Sequence, residues 1–454
     1  MSGLLIAAPS SGSGKTTITL GLLRALRRRG VAVSPGKAGP DYIDPAFHTA
    51  ACGIACINYD PWAMRPALLA AQAARARADG RLLVIEAMMG LFDAAMDGTG
   101  APADLAAALG LPVVLVVDCG RMAHSVAALV SGYARFRPDV RLAGVVLNKV
   151  GSPKHAAMLR GALAGIDMPV LGTIGRDPAL ALPERHLGLV QAGEHGGLDR
   201  FIDHAADAVE AGCDLDALVA LGGEAGPMLP VRGHRPALDP LGARIAVACD
   251  VAFAFAYEHL LAGWHASGAS LSFFSPLADE APAADCDAVY LPGGYPELHA
   301  GRLAAATTFR SGLQAAAVRQ ARIFGECGGY MTLGEGLIDA AGARHAMLGL
   351  LPLTTSFAER RRHLGYRRVR PLEKDGFFPP MMAHEFHYAT IVTEGDAAPL
   401  FAVEDAAGTA LGTAGLRRGS VAGSFMHLID RACDGTCDCA SGSDRACNRA
   451  VGPA

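Results

Sequence analysis

Leu4-Leu5-Ile6-Ala7-Ala8-Pro9-Ser10-Ser11-Gly12-Ser13-Gly14-Lys15-Thr16-Thr17 opens the chain and decides its fold. An apolar run meets a Ser/Gly turn, and Lys-Thr-Thr then leads into an amphipathic stretch. Strand, phosphate loop and helix follow one another in this order. Gly12 and Gly14 permit a tight turn whose N–H groups face inward. Lys15 can bridge terminal phosphates, and Thr16 can hold Mg²⁺. Gly12, Ser13, Gly14, Lys15, Thr16 and Thr17 are therefore the candidate ATP-binding residues. Pro9 stands where the strict pattern has its first glycine. A plain flexible turn is the competing reading, and Lys-Thr-Thr at a strand-to-helix junction argues against it.

Outward from this loop the alternation continues. Strands are expected at Leu4–Ala8, Val31–Ser34, Leu82–Glu86, Val113–Asp118, Gly144–Asn148 and Val170–Ile174. Helical stretches such as Lys15–Arg29 and Ala101–Leu109 lie between them, which argues a parallel sheet. Around Gly212 to Leu241, Gly, Pro and Arg dominate and the pattern lapses. A second alternation follows at Arg244–Cys249, Ser270–Phe274, Ala288–Leu291 and Arg322–Gly325. The expected organisation is α/β throughout: a first domain over 1–200, a linker over 201–242, a second domain over 243–432 and a disordered tail over 433–454.

The bulk numbers fit. A chain of 454 residues holds two or three domains, at ~150 residues each. Hydrophobic residues make up 51% and aromatics 6%, so Ala, Leu and Val carry the core. A net charge of -4 gives no basic face for nucleic acid. No apolar run reaches the ~18 residues of a membrane helix, and no basic region precedes Leu4 as in a signal peptide. Eleven scattered cysteines suit a reducing cytoplasm better than a disulfide framework. Cys433, Cys437, Cys439 and Cys447 fall in the tail without a standard zinc spacing.

A magnesium site wants a second oxygen ligand at a strand end. Glu86 closes an apolar strand and is such a candidate, followed by Ala87-Met88-Met89-Gly90-Leu91-Phe92-Asp93. Gly39-Pro40-Asp41-Tyr42-Ile43-Asp44-Pro45 carries two acids, which read equally well as turn formers. Asn148-Lys149 ends another strand, where a side chain can meet a purine edge.

In the second half, Arg322-Ile323-Phe324-Gly325-Glu326-Cys327-Gly328-Gly329-Tyr330 reads as a nucleophile elbow with Cys in place of Ser. The helix that follows lowers a thiol pKa, and the N–H of Gly328 can bind an oxyanion. Gly293 and Gly294, after the strand Ala288–Leu291, can complete the oxyanion hole. His427 lies late enough to return as general base. A buried structural Cys in a Gly-rich turn is the alternative for Cys327. His384-Glu385-Phe386-His387-Tyr388 resembles a metal motif without its spacing, and a substrate or interdomain contact is the expectation.

Taken together, these motifs resemble the cobyrinic acid or hydrogenobyrinic acid a,c-diamide synthase family of corrinoid biosynthesis. The likeness runs in the family's order through S-S-G-S-G-K-T-T, G-P-D-Y-I-D-P, E-A-M-M-G-L-F-D, L-P-E-R-H-L-G-L, L-P-G-G-Y-P-E, G-E-C-G-G-Y-M and H-E-F-H-Y, up to about Asp430. The resemblance implies a dethiobiotin-synthetase-like ATP domain followed by a class I glutamine amidotransferase domain. It implies a ligase of cobalamin biosynthesis that phosphorylates the c and then the a carboxylate of a corrin macrocycle, and displaces each phosphate with ammonia from glutamine. By motif, Cys327 is the nucleophile and His427 its base. Lys15, Thr16 and Glu86 match nucleotide and Mg²⁺ positions, and Asn148 joins the ATP-binding set. Asp41, Asp44 and Asp93 match positions tied to corrinoid binding and carboxylate activation, and Tyr42 and Ile43 match positions that select the side chain presented. The implied partners are ATP, glutamine and the macrocycle, with the oligomeric state open and a homodimer one option. Ile429 stands where many class I enzymes carry Glu, so the group orienting His427 is unassigned.

Two rivals remain at this level. A cobyric acid synthase or another tetrapyrrole amide synthase shares the architecture. A partitioning-type ATP switch explains the first 200 residues and leaves Cys327 idle.

Overall fold

The computed structural model describes residues 2–181, 191–194, 196–223, 235–373 and 378–433, with the backbone of two short strands at 184–185 and 188–189. Most of the L-P-E-R-H-L-G-L run and the tail beyond Cys433 lie outside the described residues.

Seven parallel strands form the first sheet, in the order Ile57–Tyr59, Val33–Ala38, Leu82–Glu86, Gly3–Ala7, Val113–Asp118, Leu142–Val150, Val170–Gly175. Val113–Val117 is fully apolar and essentially sealed from solvent, as a parallel strand covered on both faces requires. The first helix, Lys15–Arg28, starts from Gly14 in the left-handed conformation (φ 91°). It buries Ile18, Leu20, Leu22, Leu23 and Leu26 and ends on Arg27 and Arg28, where cations favour the helix dipole.

The expected linker over 201–242 is corrected. Leu198–Gly212 and Leu215–Gly223 are helices. The first buries Phe201, Ile202, Ala205, Ala206 and Val209. Arg24 and Arg28 of the opening helix reach across to Asp199, Asp203 and Asp207. The amphipathic pattern after Gly197 thus continues the first unit beyond the expected limit at residue 200.

The second half begins with five parallel strands in the order Ser270–Phe274, Arg244–Ala248, Ala288–Leu291, Arg322–Glu326, Val421–Ser424. Five antiparallel strands then extend the sheet: Ala410–Arg418, Ala398–Asp405, His363–Pro371, Met381–His387 and Met426–Arg431. Only Phe425 separates Val421–Ser424, in fifth place, from Met426–Arg431, in tenth. The chain bends there and the sheet curls round, bringing its tenth strand back beside its fifth.

The halves pack intimately. Arg65 donates through its backbone N–H and its guanidinium to Asp430, with both residues buried. Trp62 stacks on Tyr366 with ring centres 4.4 Å apart, and Tyr366 donates to Asp60 at 3.0 Å. Among the described residues, no helix is long and apolar enough to cross a membrane.

Candidate functional site

Two separate sites emerge, joined by one loop. The first is a cleft of about 1030 Å³ at the carboxyl ends of the parallel strands. Gly12, Gly14, Lys15, Thr16 and Thr17 line it, facing Lys37, Asp41, Asp44 and Glu86. Gly14 is obligatory twice over: its φ is positive, and a Cβ there would lie 2.3 Å from the Asn148 amide nitrogen. Lys15 Nζ donates to the Met89 carbonyl at 2.6 Å, and Ser13 Oγ donates to Ser10 O at 2.9 Å.

At the floor of the cleft lies a buried charge cluster that the sequence only half revealed. Lys37 Nζ donates to Asp44 at 2.5 Å and to Glu86 at 3.0 Å, with Asp41 at 3.8 Å. Burial opposes its charge, and the three carboxylates outweigh burial, holding its pKa well above the usual lysine value. Both ring nitrogens of His48 face oxygen acceptors at 2.7 Å, the Asp44 carbonyl and Glu86 Oε2. Each therefore carries a proton, and Glu86 raises the His48 pKa against burial. Glu86 in turn sits below the usual carboxylate range, because Lys37 and His48 outweigh its own burial. Asp44 is pushed up to about 7, by burial first and then by Asp41. Lys37 lies in the strand Val33–Ala38, beyond the expected limit at Ser34, and a buried lysine is a rare placement. His48 carried no signal beyond its helical i+4 spacing from Asp44.

Thr16 Oγ1 donates to Glu86 Oε1 at 2.7 Å. Adjacent oxygens in an octahedral magnesium shell with ~2.1 Å bonds stand about 3 Å apart. This all-oxygen pair therefore fits a divalent cation.

Other expected residues fall less simply. Asn148 lines the cleft, but its amide is committed: Nδ2 donates to Ser13 O and Oδ1 accepts from Lys149 N. It braces the phosphate loop. Asp93 accepts from Gly90 N at 2.7 Å and shapes its own turn, outside the cleft lining. Tyr42 and Ile43 are buried and also outside that lining.

Tyr42 instead enters the second site. Its ring stacks on His427 at 4.6 Å and on Phe255 at 4.3 Å, and its hydroxyl donates to the Phe386 carbonyl at 3.3 Å. Asp41 and Asp44 thus line one site while Tyr42, between them, covers the other. Tyr257 pins the loop by donating to Pro40 O at 2.8 Å.

Cys327 occupies the elbow with φ 46° and ψ −102°. This strained backbone is characteristic of a nucleophile held at a strand-to-helix turn. A Cβ on Gly293 would lie 3.2 Å from His427 Nε2 and 3.4 Å from Cys327 Cβ. One glycine-sized gap therefore separates the His427 imidazole from the Cys327 side chain. A Cβ on Gly328 would come within 2.9 Å of the Gly294 nitrogen, so these two backbone turns lie side by side. Burial pushes the Cys327 thiol up, and the Glu297 carboxylate adds to it. Burial holds His427 down to about 3, helped by His384 and His387. The resting pair is therefore neutral. A cavity of about 60 Å³ beside Cys327 is lined by Phe255, Gly294, Glu297, Arg360 and Tyr388 among others.

His384–Tyr388 begins within the strand Met381–His387. His363, Glu385 and His387 group together, yet Arg367 pairs with Glu385 at 2.7 Å. The two imidazoles lie parallel (7°) at 4.6 Å, so their lone pairs do not converge on an ion. The strand serves the contact between halves, through the Phe386 carbonyl and Tyr42.

Residues 4–190 match the family model for the CobQ/CobB/MinD/ParA nucleotide binding domain, and residues 244–432 match that for the CobB/CobQ-like glutamine amidotransferase domain. The hydrogenobyrinate a,c-diamide synthase of Rhizobium meliloti (strain 1021) is 70% identical over 430 residues, covering 95% of this chain and 99% of that protein. The chain belongs to the hydrogenobyrinate a,c-diamide synthase family. Members so named from Brucella suis biovar 1 (strain 1330) and Mesorhizobium japonicum are 62% and 51% identical, over 95% and 94% of this chain and 99% and 98% of theirs. Among solved structures, PurLQS from Thermotoga maritima matches at 20% identity with a TM-score of 0.29, covering 41% of this chain and 87% of that one. As a member of this synthase family, the chain is an amidating ligase that joins an ATP-binding half to a glutamine-hydrolysing half.

Proposed function

We propose that this chain converts hydrogenobyrinate to its a,c-diamide, using ATP and glutamine. The observation that carries the reading is the coexistence, in one chain, of a phosphate-loop cleft and a buried Cys–His elbow, bridged by Gly39–Pro45. In the cleft, Lys15 and the loop N–H groups hold the phosphates, and Thr16 and Glu86 would hold Mg²⁺. That ion would neutralise charge on the transferring phosphoryl group. Asp41 and Asp44 face the carboxylate being activated. With a pKa pushed up to about 7, Asp44 can take the proton that ammonia sheds as it displaces phosphate.

In the elbow, Cys327 gives its proton to His427 Nε2 and its sulfur attacks the side-chain amide carbon of glutamine. The N–H groups of Gly328, Gly294 and Gly293 meet the oxyanion. His427 returns the proton to the leaving nitrogen, which departs as ammonia. Water then hydrolyses the thioester to glutamate. Enclosure protects the acyl phosphate from water. Domain limits near residues 1–223 and 243–432, and a homodimeric state, belong to this reading as well.

The test is a substrate panel of hydrogenobyrinate, cobyrinate and their diamides, with mass-spectrometric identification of the amidated side chains. Two amides on hydrogenobyrinate are expected. Turnover confined to substrates already carrying both amides would sink the proposal.

A further inference from the structure

The proposed glutaminase leaves one part unassigned, the group that orients His427. Two residues on stands Ile429, a buried aliphatic side chain that can accept nothing. His427 is fully buried, and neither ring nitrogen has a hydrogen-bond partner. Nε2 lies on the Gly293–Cys327 side. Nδ1 faces Glu326, whose Oε2 is 3.9 Å away.

Glu326 ends the strand Arg322–Glu326, directly before the nucleophile, and is 1% exposed. A buried carboxylate needs donors, and this one has them on both oxygens. Oε2 accepts from the Tyr290 hydroxyl at 2.7 Å, and Oε1 accepts from the Leu428 N–H at 3.1 Å. The second bond ties the carboxylate to the residue next to His427. A movement of about 1 Å brings Oε2 within hydrogen-bond range of Nδ1, and such contacts commonly tighten when substrate binds.

We propose that Glu326 is the positioning residue of the glutaminase, accepting the Nδ1–H of His427 and thereby turning the Nε2 lone pair toward the Cys327 thiol. The proposal rests on the Cys327/His427 reading above. With Glu326 ionised, the imidazolium formed when Nε2 takes the thiol proton has an anion beside it, and the sulfur is free to bond to the amide carbon. Burial pushes Glu326 up to about 8, and a cationic imidazole beside it favours the ionised form. Its negative charge also opposes formation of the thiolate. Tyr290, Tyr257 and Cys327 face the carboxylate, and His384, His387 and Tyr42 face the imidazole.

Full-length Glu326→Gln, Glu326→Asp and Cys327→Ala are compared for glutamine hydrolysis, for ammonia-driven synthesis and for the pH profile of Cys327 alkylation by iodoacetamide. Glu326→Gln is expected to lower kcat for hydrolysis on the order of 100-fold with KM little changed, and to displace the alkylation profile. Glu326→Asp recovers part of kcat, and ammonia-driven synthesis persists in both. A wild-type kcat and alkylation profile in Glu326→Gln overturns the proposal. So does a parallel loss of ammonia-driven synthesis, which marks a structural role. Hydrolysis by Cys327→Ala removes the underlying reading of the site, and this proposal with it.

Discussion

The cleft of about 1030 Å³ and the cavity of about 60 Å³ solve opposite problems. The cleft keeps charge: Lys37, His48, Asp44 and Glu86 are sealed but mutually paired. The cavity suppresses charge: its thiol is pushed up and its imidazole pushed down. Phosphoryl chemistry needs charges waiting in place, because they stabilise the transition state without reorganising. A glutaminase needs a nucleophile that stays inert until substrate arrives. The contrast teaches that burial alone decides nothing; what is buried alongside a group decides its charge.

Substitutions can break this contrast. The largest effect is expected from Lys15→Ala or Glu86→Ala, which should cut synthesis at least about 10³-fold with either nitrogen source. Near-normal ammonia-driven rates would remove those residues from the proposed ATP site. Next comes Cys327→Ala, expected to abolish glutamine-driven synthesis and spare the ammonia-driven reaction; equal loss of both would contradict two separable sites.

Asp430→Asn should destabilise the chain by about 3 kcal/mol by leaving buried Arg65 without its counter-ion, read as a loss in chemical denaturation. No change would show that the halves do not depend on this pair. Tyr42→Ala should lower the ratio of amide formed to glutamine hydrolysed, and an unchanged ratio would uncouple the loop from the second site.

The smallest effect concerns pH. His387 and Arg367 hold Glu385 down to about 2 against burial. A depressed carboxyl stabilises the fold above its unfolded pKa and loses that contribution as pH falls toward the folded value. The Tm gap between the wild type and Glu385→Gln should therefore narrow from pH 4.5 downward; a constant gap would contradict the depressed pKa.

The parallel strands were legible because they are short, apolar and bounded by turns. Leu82–Glu86, Val113–Asp118, Ser270–Phe274 and Ala288–Leu291 fall where the sequence puts them. The antiparallel extension was not. Much of Ala410–Arg418 is exposed and carries no clear alternation, so nothing marks it as a strand. The phosphate loop and the Cys elbow are local motifs and could be read. Lys37 to Glu86, His48 to Glu86 and Glu326 to Leu428 join residues 49, 38 and 102 positions apart. No local period encodes such distances. Tyr42 was singled out, but only the fold reveals that it faces the imidazole rather than the cleft.

The three residues Asp41, Tyr42 and Ile43 place a carboxylate in one chamber and an aromatic lid over the other. An engineer exchanging the first half of this chain for that of a relative would be choosing both chambers at once, since the incoming loop must also suit the imidazole it covers. Interchangeable parts in the gene are thus not interchangeable parts in the protein.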